Sequence, residues 1–295
     1  MNKDTQKRVL KKYKFTPDFY CLPKKESFKK KRKFYMKKIY SFYKKCNYRM
    51  YLKTNGTHQG IGIIKMTKKT NEANFKRQFS KQIYENYKYS SKLYFEKEAQ
   101  GTLLNIDFVK KQNNQVVFLP LIFRDKVILS GRKKYLSVFQ YLNNKQIIDK
   151  NTYKKLEIII NNQFNKKKVF GTIDALVDGD KLNILEISPH FHNVKIHKFL
   201  NNKEILDLYM NKNSNIKKFF KSKFGGYIFL HEKNKYTEHL YKFVKKYSSK
   251  TMIDYIDIKT RESYLKTHAF VKNTFHLIYF QAKTNKHIQK ISYYM

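Results

Sequence analysis

Acidic residues are scarce in this sequence. Asp and Glu number 22 among 295 residues, against 64 Lys and Arg, and the formal net charge is +42 at pH 7. This excess goes beyond what solubility requires and favours an anionic partner, such as nucleic acid, an anionic membrane surface or an acidic substrate. Abundant Lys, Asn, Ile, Tyr and Phe are typical of an A/T-rich genome. Glu codons are also A-rich, so codon bias does not explain the shortage of acids.

Cysteine is rare and tryptophan is absent. The two cysteines, Cys21 and Cys46, exclude a disulfide framework, and a reducing cytoplasm is the expected location. The basic start from Met1 to Leu10 lacks the apolar segment that directs secretion, and no apolar run is long enough to span a membrane. Hydrophobic residues make up 41% of the chain and aromatic residues 16%, which predicts one large or two modest domains with a real core.

Hydrophobic periodicity predicts a mixture of helices and strands. Apolar residues at helical spacing predict helices over Lys25–Cys46 and Glu72–Tyr87, and short strands are expected at Tyr48–Lys53 and Ile61–Met66. The remaining predicted elements are strands at Leu93–Glu98, Leu103–Val109, Val116–Phe123, Val169–Val177, Leu182–Ile187, Tyr227–Leu230, Met252–Ile258 and Phe275–Phe280, and helices at Asn151–Asn162, Lys203–Met210 and Glu238–Lys246. Together they predict an α+β fold.

A glycine-rich turn follows the strand that ends at Lys53. Gly56, Gly60 and Gly62 bring the chain round to the next strand. Glycines let backbone N–H groups approach a polyphosphate closely, and the lysine supplies a positive charge. A strand rather than a helix comes next, which excludes a Walker loop and a dinucleotide fingerprint. A phosphate-binding loop and a plain glycine hairpin both remain open at this point.

Two carboxylates, Asp174 and Glu186, lie on the two strands of the predicted hairpin among apolar neighbours. With a three-residue turn over Gly179–Lys181 they would sit directly opposite one another, with Cβ atoms about 5 Å apart. Carboxylates that close repel unless a cation lies between them, and Mg²⁺ is commonly held by one or two carboxylates plus substrate phosphates. A two-residue turn would instead place them on opposite faces. The alternative interpretation is a pair of surface acids.

The strand predicted at Leu93–Glu98 carries Glu96 and Lys97 near its end and is followed by Ala99. It therefore offers an acid followed by backbone N–H and C=O groups. Such a strand end can hydrogen-bond an adenine edge, although ordinary strand ends have the same composition.

These three motifs, in this order, resemble the ATP-grasp superfamily, with spacing nearest to biotin carboxylase and the carbamoyl-phosphate synthase large subunit. The resemblance covers about Lys3 to Phe199. It implies two α+β subdomains with mainly antiparallel sheets that clasp ATP, plus a small C-terminal α+β region. The implied divisions are a helical lead-in at 1–46, an ATP-grasp domain at 47–200, split into a glycine-loop subdomain at 47–95 and a metal-binding subdomain at 96–200, and a C-terminal region at 201–295.

The resemblance also implies roles for individual residues. For ATP binding, the implied set is Lys3, Lys53, Gly56, Gly60, Gly62, Glu96, Lys97 and Ala99. Asp174, Glu186 and Ser188 would hold Mg²⁺ or Mn²⁺, and Arg124 and His190 are the candidate catalytic residues. The implied reaction is a ligation in which a small-molecule carboxylate, possibly anionic elsewhere, becomes an acyl phosphate that an amine or other nucleophile attacks.

Several positions depart from the family pattern. Ser188 replaces the usual Asn, His190 stands where related ligases often have an Arg, and Leu103 occupies the place of a ribose-binding Glu. A Rossmann-like domain usually precedes the first lysine, and the chain begins at Met1 instead.

Two alternatives follow from these departures and from the charge. The chain could be a catalytically silent ATP-grasp scaffold that acts as a basic protein binding nucleic acid or another anion, with the Tyr and Phe of Lys25–Cys46 stacking on bases. It could also be one half of a split ligase whose partner chain supplies the other domain. Nucleic acid is less favoured than ATP, and no membrane association is expected.

Overall fold

The computed structural model describes residues 3–55, 62–119, 121–129, 134–142, 148–165, 167–190, 224–230 and 276–282, together with Asp207, Met210 and Lys246. Contacts between Cα atoms divide the chain into two compact units. The first comprises residues 1–100 and 181–186, and the second comprises 101–180 and 187–295. The division at 46, 95 and 200 expected from the sequence stays a prediction. Within the described residues, no helix is long and apolar enough to cross a membrane.

The first unit combines four helices with an antiparallel sheet of four strands in the order β1-β4-β2-β3. Its elements are α1 (Lys3–Lys12), β1 (Phe19–Cys21), α2 (Lys25–Lys30), α3 (Arg32–Lys45), β2 (Met50–Thr54), β3 (Ile64–Met66), α4 (Glu72–Asn86) and β4 (Leu93–Lys97). In addition, β10, described below, contributes residues 181–186 to this unit.

Alternation along β2 and β4 decides which side chains reach the core of the first unit. Met50, Leu52 and Phe95 are fully buried in an apolar cluster with the inner faces of α3 and α4. Because side chains alternate between the two faces of a strand, Lys53 and Glu96 project from the opposite face of the same sheet.

The helix predicted over Lys25–Cys46 is interrupted. α2 ends at Lys30, Lys31 has φ −116° and ψ 35°, and α3 begins at Arg32. The break falls within a run of five consecutive cations, Lys29–Lys33, whose last three members have no acid three or four residues away, and like charges destabilise a continuous helix. Phe28 and Tyr35 still contact one another across the break, with ring centroids 6.1 Å apart.

The second unit is built mainly on antiparallel strands. Its elements are β5 (Thr102–Lys110), β6 (Val116–Phe118), β7 (Leu121–Leu129), β8 (Lys134–Leu142), α5 (Lys150–Gln163), β9 (Val169–Asp178), β10 (Lys181–Ser188, of which the last two residues belong here), β11 (Phe224–Leu230) and β12 (His276–Ala282). The larger sheet has the order β10-β9-β5-β7-β8 with β6 on β5, and β11 pairs with β12.

One strand prediction in this unit is wrong in detail. The single strand expected at Val116–Phe123 is two strands, β6 and β7. Pro120 stands between them in the sequence and has no N–H to continue a ladder. Arg124 therefore lies inside β7, opposite Leu103 of β5, instead of following a strand.

The turn between β9 and β10 also differs from expectation. It spans two residues, Gly179 and Asp180, because Gly179 adopts φ +55° and allows a tight reversal. An uninterrupted two-residue hairpin pairs Asp174 with Leu185 and puts Glu186 on the other face. With this turn, Asp174 and Glu186 do not face one another across the hairpin.

Candidate functional site

Three lysines and two glutamates come together in the first unit. α1 supplies Lys3 and Lys7, which are one helical turn apart and share a face. β2 supplies Lys53, β4 supplies Glu96, and β10 supplies Glu186. Four of these five residues were predicted from the sequence, and Lys7 was not.

Glu96 lies at the centre of this Lys–Glu cluster. Its carboxylate forms ion pairs with Lys7, at 2.6 Å from Nζ to Oε2, and with Lys53 through Oε1. The side chains of Glu96 and Lys7 are 2% and 1% exposed, whereas Lys53 is 17% exposed. Lys7 Nζ also donates a hydrogen bond to the carbonyl oxygen of Ile184 at 2.9 Å. One buried carboxylate thus holds two ammonium groups, and the more accessible of the two is Lys53.

Burial and charge oppose one another at both buried groups. Burial raises the pKa of Glu96, but the ammonium groups of Lys7 and Lys53 outweigh it and leave that pKa below the ordinary value. Burial lowers the pKa of Lys7; Glu96 offsets part of this, and the charge of Lys53 adds to the lowering. The cluster is therefore one electrostatic unit whose cations outnumber its acids by one.

Lys3 connects the cluster to the start of the glycine-rich turn. Its Nζ lies 3.2 Å from Oε2 of Glu186, and both side chains are partly exposed. Its backbone N–H donates to Oδ1 of Asn55 at 2.8 Å, one residue beyond β2. Lys3 and Lys53 are thus brought to the same end of β2, as a shared phosphate-binding role requires.

Gly62 closes the glycine-rich turn and has a packing reason to be glycine. Its φ is +73°, and a Cβ added there would lie 2.7 Å from Cγ2 of Thr54 and 2.7 Å from Oδ1 of Asn86. A side chain is excluded both by the backbone conformation and by these neighbours. Gly56 and Gly60 lie outside the described residues.

The predicted adenine-binding strand end is arranged differently from the expectation. The Glu96 side chain points to the lysines, and the N–H groups of Lys97 and Glu98 donate to the carbonyl oxygens of Asp18 at 2.8 Å and Arg49 at 3.1 Å. These two N–H groups are therefore already used within the first unit. Glu98 Oε1 accepts from Tyr51 and lies 2.7 Å from Lys65 Nζ. Lys97 is exposed and Ala99 is half-buried.

A polar face lies on β5 and β9 in the second unit. The strand register sets Asn105 opposite Asp174 and Asp107 opposite Thr172. Nδ2 of Asn105 donates to Oδ1 of Asp174, and Oγ1 of Thr172 donates to Oδ1 of Asp107. Asn105, Asp107 and Thr172 are fully buried, and Asp174 is partly exposed. The amide of Asn105 holds the Asp174 carboxylate in place, and sequence reasoning missed this partner.

The predicted metal ligands are divided between the two units. Glu186 belongs to the first unit, whereas Asp174 and Ser188 belong to the second, where Ser188 is 3% exposed. Among the residues that the structure describes, no three His, Cys, Asp or Glu side chains come together in a way that could hold a metal ion. The metal site that the family resemblance implies therefore stays a prediction.

The two candidate catalytic residues, Arg124 and His190, belong to the second unit. Arg124 has a described backbone on β7, but its side chain lies outside the described part. His190 is exposed, two residues after β10.

The missed Lys7 had a signal in the sequence. Gln6, Lys7 and Leu10 are the buried residues of α1, and Lys3 and Lys7 stand four residues apart, so the lysine face and the buried face overlap. A lysine on the apolar side of a short helix needs a buried carboxylate partner, and Glu96 was the acid among the apolar residues of β4.

Comparison with solved structures gives the fold. An N5-carboxyaminoimidazole ribonucleotide synthetase in complex with ADP matches with a TM-score of 0.64 and 10% identity, over 99% of this chain and 70% of that chain. The corresponding synthase from Aspergillus clavatus, in complex with ADP and 5-aminoimidazole ribonucleotide, matches with a TM-score of 0.60 and 15% identity, over 99% and 72%. The chain therefore has the ATP-grasp fold of these enzymes, an α+β fold with antiparallel sheets.

A more distant match is D-alanine–D-alanine ligase from Bacillus anthracis, with a TM-score of 0.45 and 14% identity. It covers 64% of this chain, and the chain spans 56% of the length of that ligase. No protein-family model matches the sequence, and a search of curated proteins returns no match.

Proposed function

We propose that this protein is an ATP-dependent ligase of the ATP-grasp type that activates a small-molecule carboxylate. The observation that carries the proposal is the Lys–Glu cluster of the first unit. In this cluster Lys3 and Lys53, the two lysines that the family resemblance assigns to the phosphates, lie at one end of β2 with their ammonium groups accessible. The two free cysteines, Cys21 and Cys46, suit an enzyme of the reducing cytoplasm.

The residues present fit a polyphosphate. Lys3 and Lys53 would contact phosphate oxygens, and the cluster has one more cation than acid, so an added anion is electrostatically favourable. Gly62 lets the end of the loop pack closely against Thr54 and Asn86. The family resemblance assigns a Mg²⁺ site to Asp174, Glu186 and Ser188, and a bound ion would neutralise charge on the transferring phosphoryl group.

Lys53 would change partners when nucleotide binds. In the structure its ammonium is paired with Glu96, and Lys7 is paired with the other oxygen of the same carboxylate. When Lys53 turns to a phosphate, Glu96 keeps Lys7 as its counter-ion and is not left as an uncompensated buried charge. Phosphoryl transfer depends mainly on positioning and charge neutralisation, which this arrangement supplies.

For the substrate, the observations support a chemical class but no particular compound. The synthase from A. clavatus was solved with 5-aminoimidazole ribonucleotide, a phosphorylated small molecule, and this chain carries a net charge of +42. Both favour an anionic small-molecule substrate, which is activated as an acyl phosphate and then joined to an amine or another nucleophile.

The test is Mg²⁺-dependent ATP binding, measured by titration calorimetry. Lys53→Met keeps the length of the side chain and removes its charge, and we expect it to weaken ATP binding at least tenfold, which is about 1.4 kcal/mol. Lys24→Met, at an exposed lysine before α2 that makes no side-chain capping bond, is the matched control and should change the affinity less than about twofold. Folded wild-type protein that fails to bind Mg-ATP would refute the proposal. Binding would justify a screen of carboxylates for ADP release.

A further inference from the structure

The longest acid-free segment of the first unit begins within α2 and includes all of α3. From Ser27 to Asn71 the sequence has 45 residues, of which 14 are Lys or Arg and none is Asp or Glu. Most of these cations lie on the two helices. We use the name α2–α3 basic surface for the exposed residues Lys29, Lys30, Lys31, Lys33, Phe34, Lys37, Lys38 and Lys44.

The cations of α3 are held on one side of a rigid helix. The inward stripe of α3 consists of Met36, Ile39, Tyr40 and Tyr43, all buried. On the outward side Lys33, Lys37 and Lys44 fall close to one line, because residues 4 and 11 positions apart return to nearly the same angle. A fixed row of ammonium groups matches the regular spacing of charges along a polyanion better than lysines on loops would.

Within the described part of the chain, no lysine of this surface lies within ion-pair distance of an acid, unlike two lysines of α4, although Glu72 acts on Lys37 and Lys44 from a longer distance. Among the described residues, the ion pair made from α2 and α3 is Lys45 with Asp18, at 3.1 Å. On α4, Lys76 pairs with Glu72 and Lys81 with Glu85. Repulsion between unpaired lysines one turn apart destabilises a helix, and an external polyanion would relieve it.

One aromatic side chain is presented among these lysines. Phe34 is 51% exposed, and Nζ of Lys38 lies 4.4 Å from its ring centroid. The other aromatics expected to stack on bases are less available, because Phe28, Tyr40 and Tyr43 are in the core and Tyr35 and Phe42 pack against it. An exposed ring within a row of cations is the combination that single-stranded nucleic acids use, since bases stack on the ring while phosphates contact the lysines.

We propose that the α2–α3 basic surface binds single-stranded nucleic acid without sequence preference, with phosphates on Lys33, Lys37, Lys38 and Lys44 and a base on Phe34. An anionic membrane is a poorer fit, because helices that lie in a membrane surface need an apolar face and Phe34 is the one large hydrophobic residue exposed on the described α2 and α3. The surface lies on the helix side of the four-stranded sheet, and Lys53 and Glu96 project from the other side, so nucleic acid and nucleotide would bind independently.

The test compares two variants of the full chain that lose the same charge. One carries K33Q, K37Q, K38Q and K44Q. The other carries four glutamines at exposed lysines elsewhere, K150Q, K154Q, K167Q and K181Q. Binding of a labelled 20-nucleotide mixed-sequence RNA or DNA strand is followed by fluorescence anisotropy over a range of KCl concentrations.

We expect the α3 variant to bind at least tenfold more weakly at about 0.15 M salt, and the slope of log K against log salt to fall by roughly 0.7 for each lost contact. The second variant should stay within about threefold of wild type, with an unchanged slope. F34A should lose about tenfold in affinity with the slope retained, since stacking does not involve counterions. Arginine at the four α3 positions should preserve binding. An unchanged far-UV circular dichroism spectrum and a cooperative thermal unfolding transition serve as the folding control.

Three results would overturn the proposal. Equal losses in the two glutamine variants would show that net charge alone attracts the strand. Absence of strand binding by wild type at about 0.15 M salt would show that the surface has no such affinity under ordinary conditions. If the α3 glutamine variant lost binding to phosphatidylserine-containing vesicles but bound the nucleic-acid strand like wild type, the surface would be assigned to membranes. None of these results depends on whether ATP binds, so they are separable from failure of the proposed ligase function.

Discussion

Glu96 is a buried carboxylate with two ion-pair partners, one of which could be exchanged for another ligand. A carboxylate that is 2% exposed is strongly unfavourable without a counter-ion. Here it has two, and they differ in exposure, since Lys7 is enclosed and Lys53 is partly open. Loss of one partner still leaves the other, so the pairing with Lys53 can be exchanged at low cost while the pairing with Lys7 cannot. In the proposed ligase, Lys7 would therefore be a positioning residue that acts on nucleotide binding through Glu96.

Substitution of Lys7 by Met tests this role. We expect Lys7→Met to lower the free energy of unfolding by roughly 1–3 kcal/mol, because Glu96 then depends on Lys53 alone. ATP affinity should also fall about tenfold, since Lys53 can reach a phosphate only by leaving Glu96 uncompensated. Urea unfolding and calorimetry measure the two effects.

The double variant Lys7→Met/Glu96→Gln provides the control for that prediction. Once the carboxylate is neutral, Lys53 is no longer retained by it, and we expect ATP affinity to recover relative to Lys7→Met. A purely structural Lys7 would predict the opposite, with the double variant binding ATP no better than the single one.

At this scale the sequence predicted identities better than contacts. Lys3, Lys53, Glu96 and Glu186 were named from motif order and the family resemblance, and all four lie in the first unit. Their roles in nucleotide and metal binding stay predictions. The direction of the Glu96 side chain was not predicted, because the expectation concerned the backbone at the end of β4. Pairing of Glu96 with Lys7 depends on the docking of α1 against the sheet, which local spacing does not report.

At the scale of elements, the best predictions were helices with a side-chain cap. α4 begins at Glu72 as expected and ends one residue from the expected end, and α5 is within one residue at each end. Both helices start after a residue whose side chain accepts a backbone N–H, Asn71 in one case and Asp149 in the other. The sequence alone shows such residues, since Asn and Asp before an apolar periodic run are typical of helix starts.

Two of the three failures at this scale come from tertiary constraints, and the third comes from local charge repulsion. β1 has three residues, too few for a periodic pattern, and is fixed by pairing with Glu96, Phe95 and Tyr94 of β4. The interruption at Lys31 arises within a helix whose apolar periodicity continues through it. The turn at Gly179 could have been either two or three residues long from its composition, and pairing of the strands up to Asp178 and Lys181 decides it.

The cap of α4 gives a prediction about stability. Asn71 Oδ1 accepts a hydrogen bond from the backbone N–H of Asn74 at 2.9 Å, and this satisfies one of the unpaired donors of the first turn. Asn71→Ala should therefore lower the free energy of unfolding by about 1 kcal/mol, measured by urea denaturation. Asn71→Asp keeps the acceptor and places a negative charge at the helix N-terminus, so it should retain or increase stability. Equal losses in the two variants would contradict the capping interpretation.

At the scale of the whole molecule, fold and charge have different origins. The ATP-grasp fold is shared with synthetases at 10% and 15% identity, so it is maintained by hydrophobic pattern and strand order more than by particular residues. The net charge of +42 follows from the shortage of acids across the chain. Motif order was enough to predict the fold, whereas the identity of the anionic partner depends on where cations lack a counter-ion, and only the structure shows this.

The charge also predicts how stability responds to salt. A compact molecule with a net charge of +42 repels itself more strongly than its expanded unfolded chain does. Added salt screens this repulsion over a Debye length of about 10 Å at 0.1 M. We therefore expect the midpoint of thermal unfolding to rise by roughly 5 °C between low and moderate NaCl concentrations, a change of the order of 1–2 kcal/mol for a protein of this size.

Screening can be separated from anion binding by the choice of salt. An effect of ionic strength alone is the same for NaCl and sodium acetate, which differ in their anion. Mg-ATP should raise the midpoint at far lower concentrations, because a ligand that binds only the folded state stabilises it according to its concentration relative to Kd. Stabilisation by Mg-ATP should be lost in Lys53→Met while the response to NaCl remains. A midpoint that falls with NaCl would show that surface ion pairs outweigh the net repulsion, and the +42 charge would then be compensated locally.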